Sequence, residues 1–330
     1  MITALGLELA AQGDPRLDAL LGGLPLPALE RIAREGGYGF RTGASSYPYD
    51  TGRAHITNFR DQITGARLDA GRLGVAQALA HSVNTWFAWS AELSDRTLLG
   101  QPDGGMPGAR ELEPGALDSA RPVAAMARRL GFGAPLRLDG GLLPPELRLS
   151  PWDALQASAS SLDPVHSRHE LRQMAIGLRM QTTPLQMALV AAAVGEGRSV
   201  TPRLLLALDA RQARASSGAK LGVRLDRIRA GLKGVIDGGT AAGAFRDPAL
   251  NGLRPGLYGK TGTAPVGEDG LATVWFMGWL EPGSLPGQTR RLAFAAFVSH
   301  SPATGGGHAA PVIAALLRSM AERSSELKGK

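Results

Sequence analysis

The sequence contains no cysteine. That excludes disulfides, thiolate nucleophiles and cysteine-ligated metals, and it fits any redox compartment, an oxidising periplasm included. No uncharged apolar run approaches the roughly 18–20 residues needed to span a bilayer. The segment Met1-Ile2-Thr3-Ala4 lacks the basic n-region of a secretory leader, and Glu8 interrupts the apolar stretch behind it. As written, the chain is expected to stay where it is made. There is also no Lys/Arg block interleaved with aromatics. The net charge of +7 comes from scattered basic residues, so nucleic acid is not an expected partner. His300 and His308 are too isolated for a metal site. The run Gly305-Gly306-Gly307 lacks the following Lys-Ser/Thr of a phosphate loop. Neither metal nor cofactor is expected.

What is present suffices for a sizeable core. The 330 residues are 44% hydrophobic and 20% charged, normal for a globular chain of one large domain or two ordinary ones. The 44 glycines and 22 prolines are spread without period, so no low-complexity segment is implied.

Taken in order, residues 1–12 read as a helix on the spacing of Ile2, Leu5 and Leu9, with nothing before it to cap it. Residues 16–35 read as one or two short helices divided at Pro25–Pro27, and 36–70 as loops with short strands. Leu73 to Ala91 reads as one strong helix with Ser82-Val83-Asn84 in its middle. Residues 95–120 and 210–223 read as surface loops. Pro122 to Leu130 is a short helix ending at Gly131, and Trp152 to Ser160 a possible one. Thr183-Pro184 opens a helix by rule, with Thr at the cap and Pro in the first turn. Residues 201–208 suggest a strand, Leu225 to Ile236 an amphipathic helix, and Gly238-Gly239-Thr240-Ala241 a turn. The end is β-rich: a hairpin around Gly267–Gly270, a strand over Arg291–Ser299, then a closing helix from Ala309 to Ala321. Helices followed by clustered, hairpin-linked strands predict an α+β fold with an antiparallel sheet over residues 1–330.

Two stretches could carry chemistry. In Gly259-Lys260-Thr261-Gly262-Thr263-Ala264 a lysine and two hydroxyls sit between glycines on a strand. The lysine supplies a fixed positive charge for a carboxylate, the hydroxyls add hydrogen bonds, and the bare backbone lets a ligand lie close. Ser82-Val83-Asn84 puts a hydroxyl and an amide two residues apart. His81 beside Ser82 lacks the orienting carboxylate and oxyanion hole that serine–histidine catalysis needs. The pairs Trp86/Trp89 and Trp275/Trp279 have spacings that suit core packing better than ligand stacking.

In this order the motifs resemble the transpeptidase domain of bacterial penicillin-binding proteins, over nearly the whole chain. Ala78 to Phe87 is similar to that family's Ser-x-Asn helix. Arg129-Leu130-Gly131-Phe132-Gly133 is similar to its helix-end segment, and Thr183-Pro184-Leu185-Gln186-Met187-Ala188 to its Thr-Pro-Leu-Gln block. Lys260-Thr261-Gly262-Thr263 with Trp275-Phe276-x-Gly278 resembles its Lys-Thr-Gly strand and neighbour.

The resemblance implies a D,D-transpeptidase that cross-links peptidoglycan stem peptides ending in D-Ala-D-Ala, takes β-lactams as mimics of the acyl donor, and works with cell-wall assembly proteins. It implies a periplasmic site of action, with an inner-membrane anchor in the intact family member. It gives Ser82 the role of proton relay and Asn84 that of holding the substrate amide, and it gives Lys260, Thr261 and Thr263 the carboxylate, with Gly262 allowing close backbone approach.

One departure stands out. The family's nucleophile is the serine of a Ser-x-x-Lys that precedes Ser-x-Asn, and nothing before Ser82 fits, since Ser45 and Ser46 have Pro48 and Tyr49 three residues on. Ser217-Gly218-Ala219-Lys220 and Ser325-Glu326-Leu327-Lys328 match by pattern but in the wrong order and context. Met1-Ile2-Thr3-Ala4-Leu5 resembles the stretch that follows the nucleophile motif, so Ser-x-x-Lys is expected upstream of Met1 and the chain as given is expected to be inactive. The alternatives are a non-catalytic peptidoglycan-binding or assembly module and a relative of the serine β-lactamases.

Overall fold

A computed structural model describes residues 1–35, 56, 71–94, 120–144, 146, 155–213, 217–267 and 269–326. Among these residues ten α-helices surround one three-stranded antiparallel sheet, with several two- to four-residue strand pairs at the periphery. The helices are α1 Ile2–Ala10, α2 Pro15–Gly22, α3 Leu26–Glu35, α4 Val75–His81, α5 Asn84–Leu93, α6 Ala120–Arg129, α7 Arg168–Ala175, α8 Pro184–Glu196, α9 Asp226–Asp237 and α10 Ala310–Glu326.

The sheet is built from the lysine strand (Leu257–Val266), the central strand (Leu271–Leu280) and an outer strand (Leu292–Ser301). The lysine strand pairs one-to-one with the central strand, Lys260 opposite Met277 and Gly262 opposite Trp275. The period-2 alternation of a strand divides the side chains between two cores. Met277 and Trp279 face the larger helical core with Leu5, Leu79, Trp86, Trp89 and Val190. Val274, Phe276, Leu280 and Phe294 face a second core closed by Phe245 and by Ile313 and Leu317 of α10. On the lysine strand this alternation sends Lys260 to the same face as Tyr258, and Thr261 and Thr263 to the other.

Three local devices set the frame around the cleft. Thr183 caps α8 by accepting from the Gln186 amide at 3.1 Å, with Pro184 in the first turn. The Gln186 side chain is buried and donates to the Leu130 carbonyl at 2.7 Å, tying α8 to the end of α6. Close packing of α9 on α4 depends on missing side chains: a Cβ at Gly231 would stand 2.7 Å from the Leu79 Cβ, and one at Gly234 2.8 Å from that of Ala80. A buried Glu8 in the otherwise apolar α1 accepts two hydrogen bonds from Arg227 of α9, at 2.9 and 2.8 Å, and Arg227 also reaches Asp18 of α2.

The helices expected near residues 1–12, 122–130, 184–194, 225–236 and 309–321 are present, as are the hairpin and the strand that follows it. Several expectations need correction. The single helix over Leu73–Ala91 is two, because Ser82 adopts the left-handed conformation (φ 55°, ψ 48°) and Val83 is extended. Residues 155–160 carry strand pairing and irregular chain instead of a helix: Gln156–Ala157 pairs with Leu136–Arg137. The stretch 201–208 is mostly irregular, with regular strand only at Ala207–Leu208. Within 210–223, Arg211–Gln212 pairs with Ala207–Leu208, and Ser217–Lys220 pairs with Arg198–Val200 ahead of the buried Leu221, so that stretch is more than a surface loop. Helix α7, capped by Ser167, escaped the apolar-period reading because its sequence is mostly polar. The expected loops at 36–70 (Ile56 apart) and 95–119 lie outside the described residues.

Candidate functional site

Helix α4 ends against the sheet, and its last turn sets the chemistry. The left-handed conformation at Ser82 costs about 1–2 kcal/mol for a residue other than glycine. It turns the chain so that Val83 starts a new helix, with Asn84 as its first residue. Ser82 and Asn84 therefore both line the cleft, which two residues on one continuous helix, about 200° apart, would not do.

Lys260 reaches across from the sheet. Its Nζ donates to Ser82 Oγ at 2.7 Å and to its own strand's Thr261 carbonyl at 2.9 Å. Thr261 is buried at 8% exposure, and its Oγ1 lies 2.6 Å from Thr240 Oγ1 in the turn after α9. Thr263 Oγ1 accepts from the Gly305 amide at 3.1 Å. Gly259 is held to glycine because a Cβ there would run into the Phe276 ring, while Gly305 lies flat against the backbone carbonyls of Gly262 and Trp275. The close approach at this point of the strand is thus one of Gly305 to the Gly262 carbonyl; the approach of a ligand backbone expected at Gly262 is a separate matter.

These residues line one cleft of about 430 Å³ that runs along the free edge of the lysine strand. Its polar lining includes Ser82, Asn84, Thr240, Lys260, Thr261 and Thr263; its apolar lining includes Phe87, Phe132, Met180, Met187 and Trp275. Met1 also lines it. The arrangement offers one cation and a set of hydroxyl and amide groups at the edge of the lysine strand that no described strand pairs with. That is equipment for an extended ligand with a carboxylate at one end.

All six residues singled out in sequence meet at this cleft: Ser82, Asn84, Lys260, Thr261, Gly262 and Thr263. His81, at the end of α4, does not line it. Trp86, Trp89 and Trp279 are fully buried, but Trp275 is not: it lines the cleft and stacks on Phe297 with ring centroids 5.0 Å apart. Sequence reasoning missed Thr240 and the Thr304-Gly305-Gly306 segment, whose only signal was the paired glycines before Thr240 and after Thr304. The Ser217-x-x-Lys220 match lies in a peripheral strand pair and takes no part in the cleft. Among the described residues no cluster of His, Asp or Glu could hold a metal ion.

The chain matches the model of the penicillin binding protein transpeptidase domain over residues 49–318. No curated protein matches it. Solved structures with the same fold include PBPA from Mycobacterium tuberculosis, 18% identical, with a TM-score of 0.58, covering 97% of this chain and 60% of that one. Pseudomonas aeruginosa PBP2, in complex with WCK 5153, is 19% identical, with a TM-score of 0.57 and coverages of 96% and 56%. Helicobacter pylori PBP2 in complex with MreC is 16% identical, with a TM-score of 0.51 and coverages of 99% and 49%. The chain thus spans about half to three-fifths of the length of these structures.

Proposed function

The chain belongs to the family of penicillin-binding protein transpeptidase domains, with an α+β fold, and we propose that it acts in cell-wall synthesis, its cleft receiving the D-Ala-D-Ala end of a peptidoglycan stem peptide. The observation that carries this reading is the 2.7 Å bond from Lys260 Nζ to Ser82 Oγ, which joins two motifs far apart in sequence at the wall of one cleft.

In this reading the ligand lies along the free edge of the lysine strand and pairs with its backbone. Lys260 supplies the charge that attracts the terminal carboxylate, and the Thr261 and Thr263 hydroxyls orient it by hydrogen bonds. Asn84 holds a ligand amide. Ser82, bonded to Lys260, is placed to pass a proton between the lysine and a reacting group. Penicillins carry a carboxylate beside a strained amide and occupy the same positions.

Acyl transfer needs a nucleophile with a base beside it. Within these 330 residues no Ser-x-x-Lys precedes Ser82, and Lys260, the amine beside Ser82, is committed in this reading to the ligand carboxylate, which leaves Ser82 a relay without a base of its own. The 330-residue chain therefore holds the ligand without forming an acyl-enzyme. The substrate puts the domain on the cell-wall side of the membrane, in the periplasm of a two-membrane envelope, beside cell-wall assembly proteins; among the described residues no helix is long and apolar enough to cross a membrane.

A fluorescent penicillin separates these statements. It should raise anisotropy saturably with the folded chain, be displaced by a D-Ala-D-Ala peptide, and leave no band after denaturing electrophoresis. Absence of saturable binding would sink the ligand assignment. A covalent band would overturn the assignment of the chain as lacking a nucleophile.

A further inference from the structure

The turn Gly238-Gly239-Thr240-Ala241 has no role in the reading so far beyond lining the cleft, yet it touches the end of α4, the lysine strand and the Gly305–Gly306 segment. The Thr240 amide donates to the carbonyl of Ala80, two residues before Ser82, at 3.2 Å. The Thr240 hydroxyl shares a 2.6 Å hydrogen bond with the Thr261 hydroxyl on the lysine strand. The Thr240 carbonyl lies against Gly306, so closely that a Cβ on residue 306 would overlap it. The residue before it, Gly305, donates to Thr263. The turn itself is anchored on α9, since Gly239 donates to the Gly234 carbonyl at 2.8 Å and Ala241 to the Val235 carbonyl at 3.1 Å. Gly239 also packs against the Ala80 carbonyl with no room for a side chain.

We propose that Thr240 is the positioning residue of this cleft: it fixes the spacing between the Ser82 turn and the lysine strand and orients the Thr261 hydroxyl toward the ligand. The orienting part rests on the carboxylate-binding role proposed above. A hydroxyl has one hydrogen to donate. When Thr240 donates to Thr261, the hydrogen of Thr261 is left to point into the cleft, where both residues line the wall. A ligand carboxylate then meets a donor already aimed at it, so less rotational freedom is lost on binding. Removing the Thr240 hydroxyl releases Thr261 to rotate while leaving the backbone bonds of the turn intact.

The test compares the full chain with Thr240→Val, which keeps shape but not the hydroxyl, and Thr240→Ser, which keeps the hydroxyl. Each is titrated with diacetyl-Lys-D-Ala-D-Ala, melted, and examined by amide NMR without ligand. Thr240→Val should bind about 10-fold more weakly, the effect of one misdirected hydrogen bond to a charged group, with a melting temperature close to the parent. Thr240→Ser should bind within about two- to three-fold of the parent, since its hydroxyl remains. Without ligand, the Thr261 and Lys260 amide signals should move in Thr240→Val and stay in Thr240→Ser. Parent-like affinity in Thr240→Val, or equal damage in both variants, would overturn the proposal. If the parent chain binds no tripeptide, the ligand reading falls, and the ligand-free amide signals alone decide the positioning role: unmoved signals in Thr240→Val remove it.

Discussion

Ser82 shows at the scale of one residue how the cleft trades stability for geometry. Its left-handed backbone (φ 55°) would cost glycine almost nothing. Ser82→Gly should therefore raise the unfolding free energy by up to about 1 kcal/mol, offset in part by glycine's greater freedom when unfolded. It should also remove the hydroxyl that Lys260 contacts and weaken peptide binding. Chemical denaturation and a binding titration on the same sample check both halves. Far from the cleft, Asp139 carries a pH dependence. Burial raises its carboxyl pKa, but the hydrogen bond and charge of Arg137 and the Leu143 amide outweigh burial, and the net value lies below the ordinary carboxylate range. A depressed folded-state value stabilises the fold above the unfolded pKa, near 3.9, and that stability is lost as pH falls through the folded value. Asp139→Asn should cost about 1–3 kcal/mol at pH 7, and the gap from the parent should begin to narrow as pH falls below about 4. Denaturation at pH 7 and pH 3 measures it.

Whole elements are held to the cleft by a few polar clamps set in apolar packing. Helix α1 reads in sequence as a plain core helix, and Glu8 reads only as an interruption. In the fold that carboxylate is 1% exposed and joins α1 to α9 through Arg227, itself 15% exposed. Arg227→Ala leaves Glu8 buried without its main partner and should destabilise by roughly 3–5 kcal/mol, whereas replacing both with leucine and methionine should recover most of that. Urea unfolding of the single and double variants distinguishes the two. The same elements show what was legible in sequence. Helix α8 could be placed from Thr183-Pro184, because capping is a local signal with local causes. The break at Ser82 was hidden because apolar residues keep a helical period on both sides of it, although Ser82, Val83, Asn84 and Thr85 are themselves weak helix formers. The strand pairing of Ser217–Lys220 with Arg198–Val200 was hidden for another reason: polar composition reads as loop, and only a distant partner makes it a strand.

At the scale of the molecule, the α+β class and the hairpin followed from period-2 patterning and turn residues, while the joining of the two motifs is a product of topology. The turn after α9 and the Gly305–Gly306 segment converge on the lysine strand from opposite directions in sequence, so no local pattern announces them. Their glycines are the sole trace, marking places where backbones pass too close for a side chain. The central claim is that Lys260 holds a ligand carboxylate at this cleft, and calorimetry with benzylpenicillin on the parent chain and Lys260→Met tests it most directly. The account expects reversible binding to the parent that weakens as salt is raised, and a loss of about 10- to 100-fold in Lys260→Met, the range for a charge-assisted hydrogen bond. Equal affinity in the two proteins would contradict it.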